Sequence, residues 1–221
     1  MTSAAPSFDV FDMDGTLVRG DSGAELIRHL IGCQWWRRVL ATAIAPVGFS
    51  LMAIGATRRI GVSIFFWIAT VGLSELSLEL AIDAFVQSHR AHRIEPTIAA
   101  LQSSMDTGFE AVIATGAFQA LAERLVAGLQ LRGAPRVVGS TVRRFAGGFV
   151  ANIQANGPSK LRRLAECGVH PPFRCAWSDS RSDLPLLCAA EEAHWVTIHE
   201  RAPREVQARL PGVIVHTISR S

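Results

Sequence analysis

The segment from Phe8 to Leu17, FDVFDMDGTL, constrains the fold of this 221-residue chain more than any other part of it. It reads as a short apolar strand that runs directly into a turn carrying Asp12 and Asp14. Side chains on a strand alternate between faces, so the two carboxylates emerge on the same side, and Gly15 permits the sharp turn. Neighbouring carboxylates repel each other unless they share a proton or bind a cation, and oxygen ligands favour magnesium. The segment predicts a catalytic centre, with an ordinary Asp- and Gly-containing turn as the alternative.

The bulk composition argues against one class of partner and points to one unusual region. The net charge of +3 and the pI of about 9.0 are too mild to indicate nucleic-acid binding, and no run of five basic residues occurs. We therefore expect no nucleic-acid partner. The chain is apolar for an enzyme, with 49% hydrophobic residues and a mean hydropathy of +0.25, and the excess lies mostly in residues 39–73.

The cysteines and the N-terminus bear on the cellular compartment. The cysteines show neither a C-x-x-C pair nor zinc-ligand spacing, so we expect no zinc site and no disulfide framework, and interpret them as buried thiols. They are Cys33, Cys167, Cys175 and Cys188. The first residues lack the basic segment and apolar core of a signal peptide. The catalytic part is therefore expected in the cytoplasm.

Two uncharged runs, residues 39–56 and 60–73, flank the pair Arg58 and Arg59. As a helix the first run covers about 27 Å, slightly less than the roughly 30 Å hydrocarbon core of a bilayer, and Pro46 interrupts it. The second run is too short to span. Two complete spans would also place the arginine pair on the far side, against the cytoplasmic bias of positive charge. A shallow hairpin or a pair of interfacial helices fits the pattern better.

The flanking residues support contact with a membrane surface. Tryptophans and arginines at 35–38 would lie among lipid headgroups, where amphipathic rings and cations are favoured. The alternative is a helical cap whose apolar faces pack on each other or form a homodimer. Because a soluble cap helix normally keeps a charged face, we predict peripheral or monotopic association with the cytoplasmic face of the inner membrane, with a cytoplasmic location as the alternative.

The rest of the chain alternates between strand and helix patterns, which predicts an α/β fold with a three-layer parallel sheet. Helices are predicted at 23–32, 74–91, 95–108, 117–129, 157–168 and 186–190. Further strands are predicted at 109–114, 137–138, 141–145, 149–154, 173–177, 194–198 and 213–215. We expect a catalytic core of residues 1–20 and 94–221, and an inserted helical cap of residues 21–93.

Polar side chains at the ends of these strands suggest a common chemistry, since ligands collect at the carboxyl ends of parallel strands. Thr115 and Gly116 follow one strand, Lys160 starts a helix, and Asp179 and Asp183 follow another strand. Each has an ordinary interpretation as a cap, a turn residue or a solvated charge. Together and in this order they describe a site for phosphoryl transfer.

A phosphate ester repels a carboxylate nucleophile until cations neutralise it, so such a site needs a metal ion and a lysine. Thr115 and the backbone N–H groups after it, at a helix N-terminus, can hold phosphoryl oxygens. Lys160 can bring positive charge to the same group. Asp179 can complete a magnesium site with Asp12, and Asp183 can orient Lys160 or a metal-bound water.

At this point the chain resembles the haloacid dehalogenase superfamily, specifically its phosphoserine-phosphatase-like branch, subfamily IB. The matching motifs are DMDGT at 12–16, Thr115-Gly116, Lys160 and DSRSDLPLL at 179–187. The resemblance implies a Rossmannoid sheet with a C1-type helical cap. It also implies that Asp12 is the nucleophile that forms an aspartyl-phosphate, and that Asp14 protonates the leaving group and then activates water.

The same resemblance implies a Mg²⁺ cofactor. The backbone carbonyl of Asp14 would join Asp12 and Asp179 as ligands, and Asp183 belongs to the predicted metal site as well. The dehalogenases of the superfamily lack the second aspartate of the first motif, so Asp14 favours phosphoester chemistry. A phosphomonoester is the substrate class that this branch implies.

A narrower resemblance, to the bacterial phosphatidylglycerophosphatase C enzymes, rests on residues 63–75 and 177–180. It implies a membrane lipid headgroup such as phosphatidylglycerophosphate as substrate. With such a substrate we expect Arg58 or Arg59 to contact its second phosphate; the alternative is that both are solvated arginines in a turn. A soluble phosphatase for phosphoserine or histidinol phosphate is the alternative. Asp21 stands where phosphoserine phosphatases place a substrate-binding Glu, and Ser178 stands where many relatives have Gly.

Overall fold

The computed structural model describes residues 8–55, 57–89 and 92–219. The strands are β1 (Phe8–Phe11), β2 (Glu110–Phe118), β3 (Arg136–Phe145), β4 (Gly148–Ile153), β5 (Phe173–Ser178), β6 (Ala190–Thr197) and β7 (Ile214–Thr217). The helices are α1 (Ser22–Gly32), α2 (Trp35–Ala53), α3 (Arg58–Thr70), α4 (Glu75–Ser88), α5 (Glu95–Asp106), α6 (Gln119–Ala127), α7 (Pro158–Glu166), α8 (Leu184–Leu187) and α9 (Arg204–Arg209). A 3-10 turn, Arg181–Asp183, precedes α8.

The strands described form one seven-stranded sheet in the order β4-β3-β2-β1-β5-β6-β7. β1 pairs in parallel with β2 and β5, and β5, β6 and β7 continue the parallel pairing, whereas β3 and β4 form an antiparallel hairpin. The predicted α/β fold with a mostly parallel sheet is confirmed. In the register of the central strands, Phe11 lies beside Ile113 on one side and Trp177 on the other. The carboxyl ends of β1, β2 and β5 therefore meet at one edge.

The central strands are apolar because they are buried, as expected of a parallel sheet that is covered on both faces. Val10 of β1, Val112 of β2 and Ala176 of β5 are fully buried. Helix side chains such as Leu121 and Leu164 are fully buried as well. Apolar strands of this kind are stable mainly in the buried centre of a sheet. Their positions could therefore be predicted from the sequence.

Several predicted boundaries differ from the structure. β2 continues to Phe118, so Thr115 and Gly116 lie in the strand rather than in a loop after it. Gly116 does not adopt a left-handed conformation, so it does not force a break. The helix predicted at 186–190 is the short α8 instead, and β6 begins at Ala190. The interpretation of all cysteines as buried thiols was wrong, because Cys33 and Cys188 are exposed.

The chain divides into two compact units. The first consists of Met1–Gly20, Ala91–Gly139 and Ala155–Ser221, and the second of Asp21–Arg90 and Ser140–Gln154. The hairpin of β3 and β4, assigned to the core in the sequence analysis, thus falls mostly in the second unit. Its hydrogen bonds to α3 explain this, because Phe149 N donates to Thr70 Oγ1 at 2.9 Å and Ala151 N donates to Ser63 Oγ at 3.3 Å.

In the second unit the two uncharged runs form α2, with Pro46 inside it, and α3. The helices approach closely at Gly48 and Gly61, since a Cβ at Gly48 would lie 2.5 Å from the Phe65 ring. Within the described residues, no single helix is long and apolar enough to cross a membrane. The consecutive helices α3 and α4 satisfy the length and composition criteria jointly, across a bend of 95°. The interfacial placement of these helices stays a prediction.

Three aromatic rings stack across β5, β6 and β7 in the first unit. Trp177 and His194 are nearly parallel, with ring centroids 4.0 Å apart, and His216 lies 4.4 Å from Trp177. His194 Nδ1 and His216 Nε2 are 2.9 Å apart, so the bond between them needs one ring to donate and the other to accept. Burial, with the neighbouring His216, lowers the pKa of His194 to about 4, although Glu192 opposes the shift.

We expect this stack to make the protein less stable as the pH falls from about 6.5 to about 4. The unfolded chain protonates His194 near its ordinary pKa of 6.5, whereas the folded chain resists protonation, so the unfolded state binds more protons in this window. Thermal unfolding from pH 7 to pH 4 should show a smaller decline in Tm for His194→Phe than for the wild type. The exposed His199→Phe serves as the control and should decline like the wild type. Equal declines in all three proteins would contradict the prediction.

Candidate active site

The first motif forms a compact hydrogen-bonded turn directly after β1. Asp12 N donates to Trp177 O of β5 at 2.9 Å, which fixes the start of the turn against the neighbouring strand. Leu17 N donates back to Met13 O at 2.8 Å, and Gly15 has a φ of +79°, a conformation that side chains disfavour. The turn therefore holds Asp12 at the carboxyl edge of the sheet, with the half-buried Asp14 two residues later.

Lys160, near the start of α7, joins the first and last motifs. Its Nζ donates to Asp12 Oδ1 at 2.8 Å and to Asp183 Oδ2 at 2.6 Å, and all three side chains are buried. A buried ammonium group is costly unless it is paired, and here it has two carboxylate partners. The structure thus brings together Asp12, Lys160 and Asp183, which are separated by up to 171 positions in the chain.

Burial dominates the electrostatics of these groups. It raises the pKa of Asp12 to about 8, with Lys160 opposing the shift and the negative charges of Asp183 and Asp179 adding to it. Burial alone would lower the pKa of Lys160, but the adjacent carboxylates of Asp12 and Asp183 raise it above its usual range. Burial also raises the pKa of Asp179. Two carboxylates thus pair with one ammonium group while the charge of Asp179 acts on Asp12 as well, and the excess negative charge favours a further cation.

Asp179 lies against the turn that follows Asp12. Its Oδ1 accepts a hydrogen bond of 3.2 Å from Thr16 Oγ1. A Cβ built at Gly15 would be only 2.1 Å from Asp179 Oδ2, so any larger residue at position 15 would displace this carboxylate. Gly15 is therefore required for its backbone conformation and for the space that it leaves.

Ser178, the last residue of β5, is a functional candidate that the sequence analysis missed. Its Oγ donates to Asp183 Oδ2 at 2.9 Å and accepts from Ser180 N at 3.1 Å. Asp183 Oδ2 thus receives hydrogen bonds from both Lys160 and Ser178. Asp183 Oδ1 is buried, and no donor to it is found among the described residues. The departure from Gly at position 178 was visible in the sequence, but the hydroxyl's partner was not.

A second set of hydroxyl groups ties the loop after β5 to the segment before α7. Ser180 Oγ and Ser182 Oγ are 2.8 Å apart, and Ser182 Oγ donates to Asn156 Oδ1 at 3.0 Å. These contacts hold the loop that carries Asp179 and Asp183. Serines and an asparagine at such positions carry no distinctive sequence signal, so only the structure could identify them.

Thr115 and Gly116 lie at the same edge of the sheet, because β2 runs parallel to β1 with Ile113 beside Phe11. Thr115 is buried, and its Oγ1 accepts a hydrogen bond of 3.0 Å from Ala117 N, whereas Gly116 is exposed. The prediction that a helix begins directly after them was wrong, since α6 begins at Gln119. Their contact with a phosphoryl group stays a prediction.

The remaining predicted substrate contacts belong to the second unit. Asp21 Oδ1 accepts from Ala24 N at 2.9 Å and thereby caps α1. Arg58 and Arg59 are both exposed, and Arg59 Nη1 donates to Asn152 O at 3.4 Å. These contacts give Asp21 and Arg59 structural roles, and contact of the three residues with substrate stays a prediction.

The donors near the turn bear on the predicted metal site. Within the described parts of the chain, no three His, Cys, Asp or Glu side chains group closely enough to form a metal site by themselves. A site built from Asp12, Asp179 and a backbone carbonyl does not need a third side chain. Asp183 has one oxygen committed to Lys160 and Ser178, so the structure favours its other predicted role, the orientation of Lys160.

Residues 10–187 match the sequence model of the haloacid dehalogenase-like hydrolase family, a range that includes every residue of the site described above. The matched range covers well over half of the chain.

Solved structures share the fold. A protein of unknown function from Bordetella pertussis Tohama I superposes with a TM-score of 0.75 at 16% identity, covering 96% of this chain and 98% of that one. A HAD family hydrolase from Salmonella enterica subsp. enterica serovar Typhi gives 0.58 at 20% identity, covering 96% and 68%. A phosphoserine phosphatase, solved as a phospho-aspartyl intermediate analogue, gives 0.58 at 13% identity, covering 97% and 94%. At these identities the likeness shows the fold.

We expect Lys160→Met to lower the free energy of unfolding by about 3–5 kcal/mol, the usual cost of leaving the partners of a buried ion pair without their counter-charge. The side chain of methionine fills similar space, so the loss would reflect the missing ammonium group. Urea unfolding at pH 7.5 would measure the change.

The control for this variant is Arg163→Met, one turn later on α7. Arg163 pairs with the more exposed Glu166 at 3.4 Å, so its removal should cost less than about 1 kcal/mol. If the free energy of unfolding falls equally in the two variants, the ion pairs of Lys160 with Asp12 and Asp183 do not stabilise the fold as we propose.

Proposed function

Because the chain belongs to the haloacid dehalogenase-like hydrolase family, we propose that it is a magnesium-dependent phosphatase that hydrolyses a phosphomonoester through an aspartyl-phosphate on Asp12. The observation that carries the proposal is the buried contact of Lys160 with both Asp12 and Asp183, next to Asp179. A carboxylate that attacks phosphorus needs positive charge beside it, and this arrangement supplies it. The fold shared with a phosphoserine phosphatase supports the same reaction class.

Asp12 and Asp14 divide the chemistry between them. A carboxylate oxygen of Asp12 forms a bond to phosphorus as the ester P–O bond breaks, and Asp14 gives its proton to the departing alkoxide. Asp14 then takes a proton from a water molecule, which attacks phosphorus and breaks the bond to Asp12. Inorganic phosphate leaves, Asp14 is protonated again, and Asp12 is regenerated.

Lys160 and its partners prepare Asp12 for the attack. The ammonium group holds Asp12 Oδ1 in one orientation, so less conformational freedom is lost when the substrate binds. Asp183 and Ser178 fix Lys160 in turn, because Asp183 Oδ2 accepts from both. Thr115 and the backbone around Gly116, at the same edge of the sheet, would hold phosphoryl oxygens.

The residues present fit a magnesium ion. Oxygen donors are the ligands that Mg²⁺ prefers, and Asp12, Asp179 and the Asp14 carbonyl would hold it. Two observations support the fit. The charge of Asp179 adds to that of the two carboxylates that pair with Lys160, and Asp183 Oδ1 is a buried acceptor with no donor among the described residues, as expected if a metal-bound water donates to it. When bound, the ion neutralises charge on the phosphoryl group.

We propose a membrane lipid headgroup, such as that of phosphatidylglycerophosphate, as the substrate. The support lies in the second unit, where no acidic residue occurs between Glu25 and Glu75 while five arginines do. Such a segment suits an anionic lipid better than the ammonium group of an amino acid. The alternative is a soluble small-metabolite phosphatase of the phosphoserine or histidinol-phosphate type.

A substrate panel tests the activity and its substrate class together. We expect the purified protein to release phosphate from phosphatidylglycerophosphate in mixed micelles in the presence of Mg²⁺, and to lose at least about 10⁴-fold in rate on Asp12→Asn, because the amide cannot replace the nucleophile. EDTA should abolish the reaction and added Mg²⁺ should restore it.

The panel also contains phosphoserine and histidinol phosphate, with circular dichroism to show that the variant is folded. Hydrolysis of these soluble esters with no turnover of the lipid would reject the lipid substrate and leave the phosphatase reaction standing. No Mg²⁺-dependent release from any ester would reject the phosphatase itself.

Ser178 should act as a positioning residue. The loss of a hydrogen bond to a charged group costs about 1.5–3 kcal/mol, so Ser178→Ala should lower kcat by roughly ten- to a hundredfold while KM changes little. Ser178→Thr retains the hydroxyl group and should recover most of kcat. Steady-state kinetics, with Tm as a check on folding, would measure both. Equal kcat values for alanine and serine at this position would show that the hydroxyl does not position Asp183.

A further inference from the structure

We propose that the outward face of α2 docks the protein on the surface of an anionic lipid bilayer. This face is defined by Trp35, Val39, Thr42, Val47, Phe49 and Ser50. The proposal goes beyond the catalytic function, because these residues belong to the second unit and none of them takes part in the proposed chemistry. The proposal concerns the binding of the protein to a membrane surface. That binding can be measured without an assay of catalytic activity.

The exposure of α2 is the first argument. Of its 19 residues, all of which the structure describes, only Arg37 and Gly48 are buried. Trp35, Val39, Val47 and Phe49 are between 60% and 75% exposed. Gly48 faces α3, and the Phe49 ring at the border of the outward face lies 5.2 Å from the Phe65 ring of α3, so the helix already has an inward side that packs within its own unit. The outward side is an apolar surface of the kind that marks an interaction site.

The polar groups on this face form the second argument. Thr42 Oγ1 donates to Arg38 O at 2.8 Å, and Ser50 Oγ donates to Pro46 O at 2.7 Å. Both hydroxyl groups thus donate hydrogen bonds to backbone carbonyl groups of the same helix. They need no water as partner, so these two hydroxyl groups can leave water without losing a hydrogen bond.

The charges around the face identify the partner. Arg38 lies near the start of α2, and the exposed pair Arg58 and Arg59 follows its end. Acidic residues are absent from residues 26–74 of the sequence. An apolar helix face with cations at both ends complements an anionic bilayer, since apolar burial and attraction to anionic headgroups act together.

The same charges disfavour a second copy as the occupant. In a two-fold symmetric dimer built on this face, antiparallel α2 helices would bring Arg38 of one copy towards Arg58 and Arg59 of the other. Like charges would then meet at both ends of the interface. A protein partner would need acidic groups at both ends of an apolar groove, whereas an anionic lipid surface supplies negative charge everywhere.

The geometry favours a helix that lies in the plane of the interface. A helix of 19 residues is about 28 Å long. Arg38 lies near its start, and Arg58 and Arg59 follow its end at the start of α3; cations at these places are best accommodated among headgroups. Trp35 at one end is suited to the headgroup region as well. In this placement only the outward face enters the bilayer.

Vesicle sedimentation tests the proposal with the full chain. We expect the wild type to bind vesicles of phosphatidylcholine mixed with phosphatidylglycerol, to bind phosphatidylcholine alone more weakly, and to release in high salt. The double variant Val39→Glu with Phe49→Glu should lose at least about tenfold in partitioning, which corresponds to about 1.4 kcal/mol. Two glutamates on this face oppose both apolar burial and the anionic surface.

Leu76→Glu with Leu80→Glu on α4 is the matched control. These leucines are 67% and 60% exposed, in the same unit, but lie beside Glu75 and Glu79, which disfavour an anionic surface. The control variant should bind within about twofold of the wild type. The proposal would be overturned if both double variants lost vesicle binding to the same extent. It would also be overturned if the wild type did not bind the mixed vesicles.

Two further measurements keep the outcomes distinct. Circular dichroism and Tm show whether each variant is folded. If the glutamate substitutions unfold the protein, the double variant Val39→Ser with Phe49→Ser is a milder replacement. This serine variant should still bind vesicles more weakly than the wild type. Light scattering reports the oligomeric state. A wild-type dimer that becomes monomeric in the α2 variant, with no vesicle binding by either, would assign the face to a second copy and overturn the lipid proposal.

Discussion

The buried ammonium group of Lys160 connects segments that the sequence separates widely. Asp12 follows the first strand and Asp183 follows the fifth, and neither carboxylate lies where water could stabilise its charge. Lys160 is equally buried, so each of the three charges depends on the others for its stability. The positions of β1, β5 and α7 relative to one another are therefore tied to a single electrostatic arrangement, and the candidate site is built around it.

The hydroxyl groups around this arrangement explain how the loops hold their shape. Thr16 donates to Asp179, and Ser178 donates to Asp183, so each carboxylate of the later motif has a fixed neighbour. Gly15 allows Asp179 to approach the first turn, because no side chain occupies the space between them. These contacts fix the carboxylates of the candidate site in position, and fixed polar groups are a condition for efficient electrostatic catalysis.

The two units differ in how much apolar surface they expose and in how their charges are distributed. The first unit buries its central strands and pairs the charges that it buries. The second exposes apolar side chains along α2 and keeps the segment between Glu25 and Glu75 free of acidic groups. The first pattern is that of an enzyme core. The second is costly for a helix surrounded only by water, which is why a partner surface is the natural explanation.

The sequence by itself determined the parallel sheet and the identity of the candidate site. Buried strands read as apolar runs, and Asp12, Asp14, Lys160 and Asp179 lie at the strand and helix ends where ligands collect. Local patterns of this kind depend on neighbours in the chain, so they can be recognised without coordinates.

Only the tertiary structure decided which side chains of the candidate site contact each other and how the chain divides into two units. The partnership of Ser178 with Asp183, the serine contacts to Asn156 and the hydrogen bonds that place the β3–β4 hairpin with α3 all join residues by distance in space. β2 runs through Gly116, and this glycine does not adopt a left-handed conformation, so it does not end the strand. Such outcomes depend on contacts that no local sequence pattern encodes.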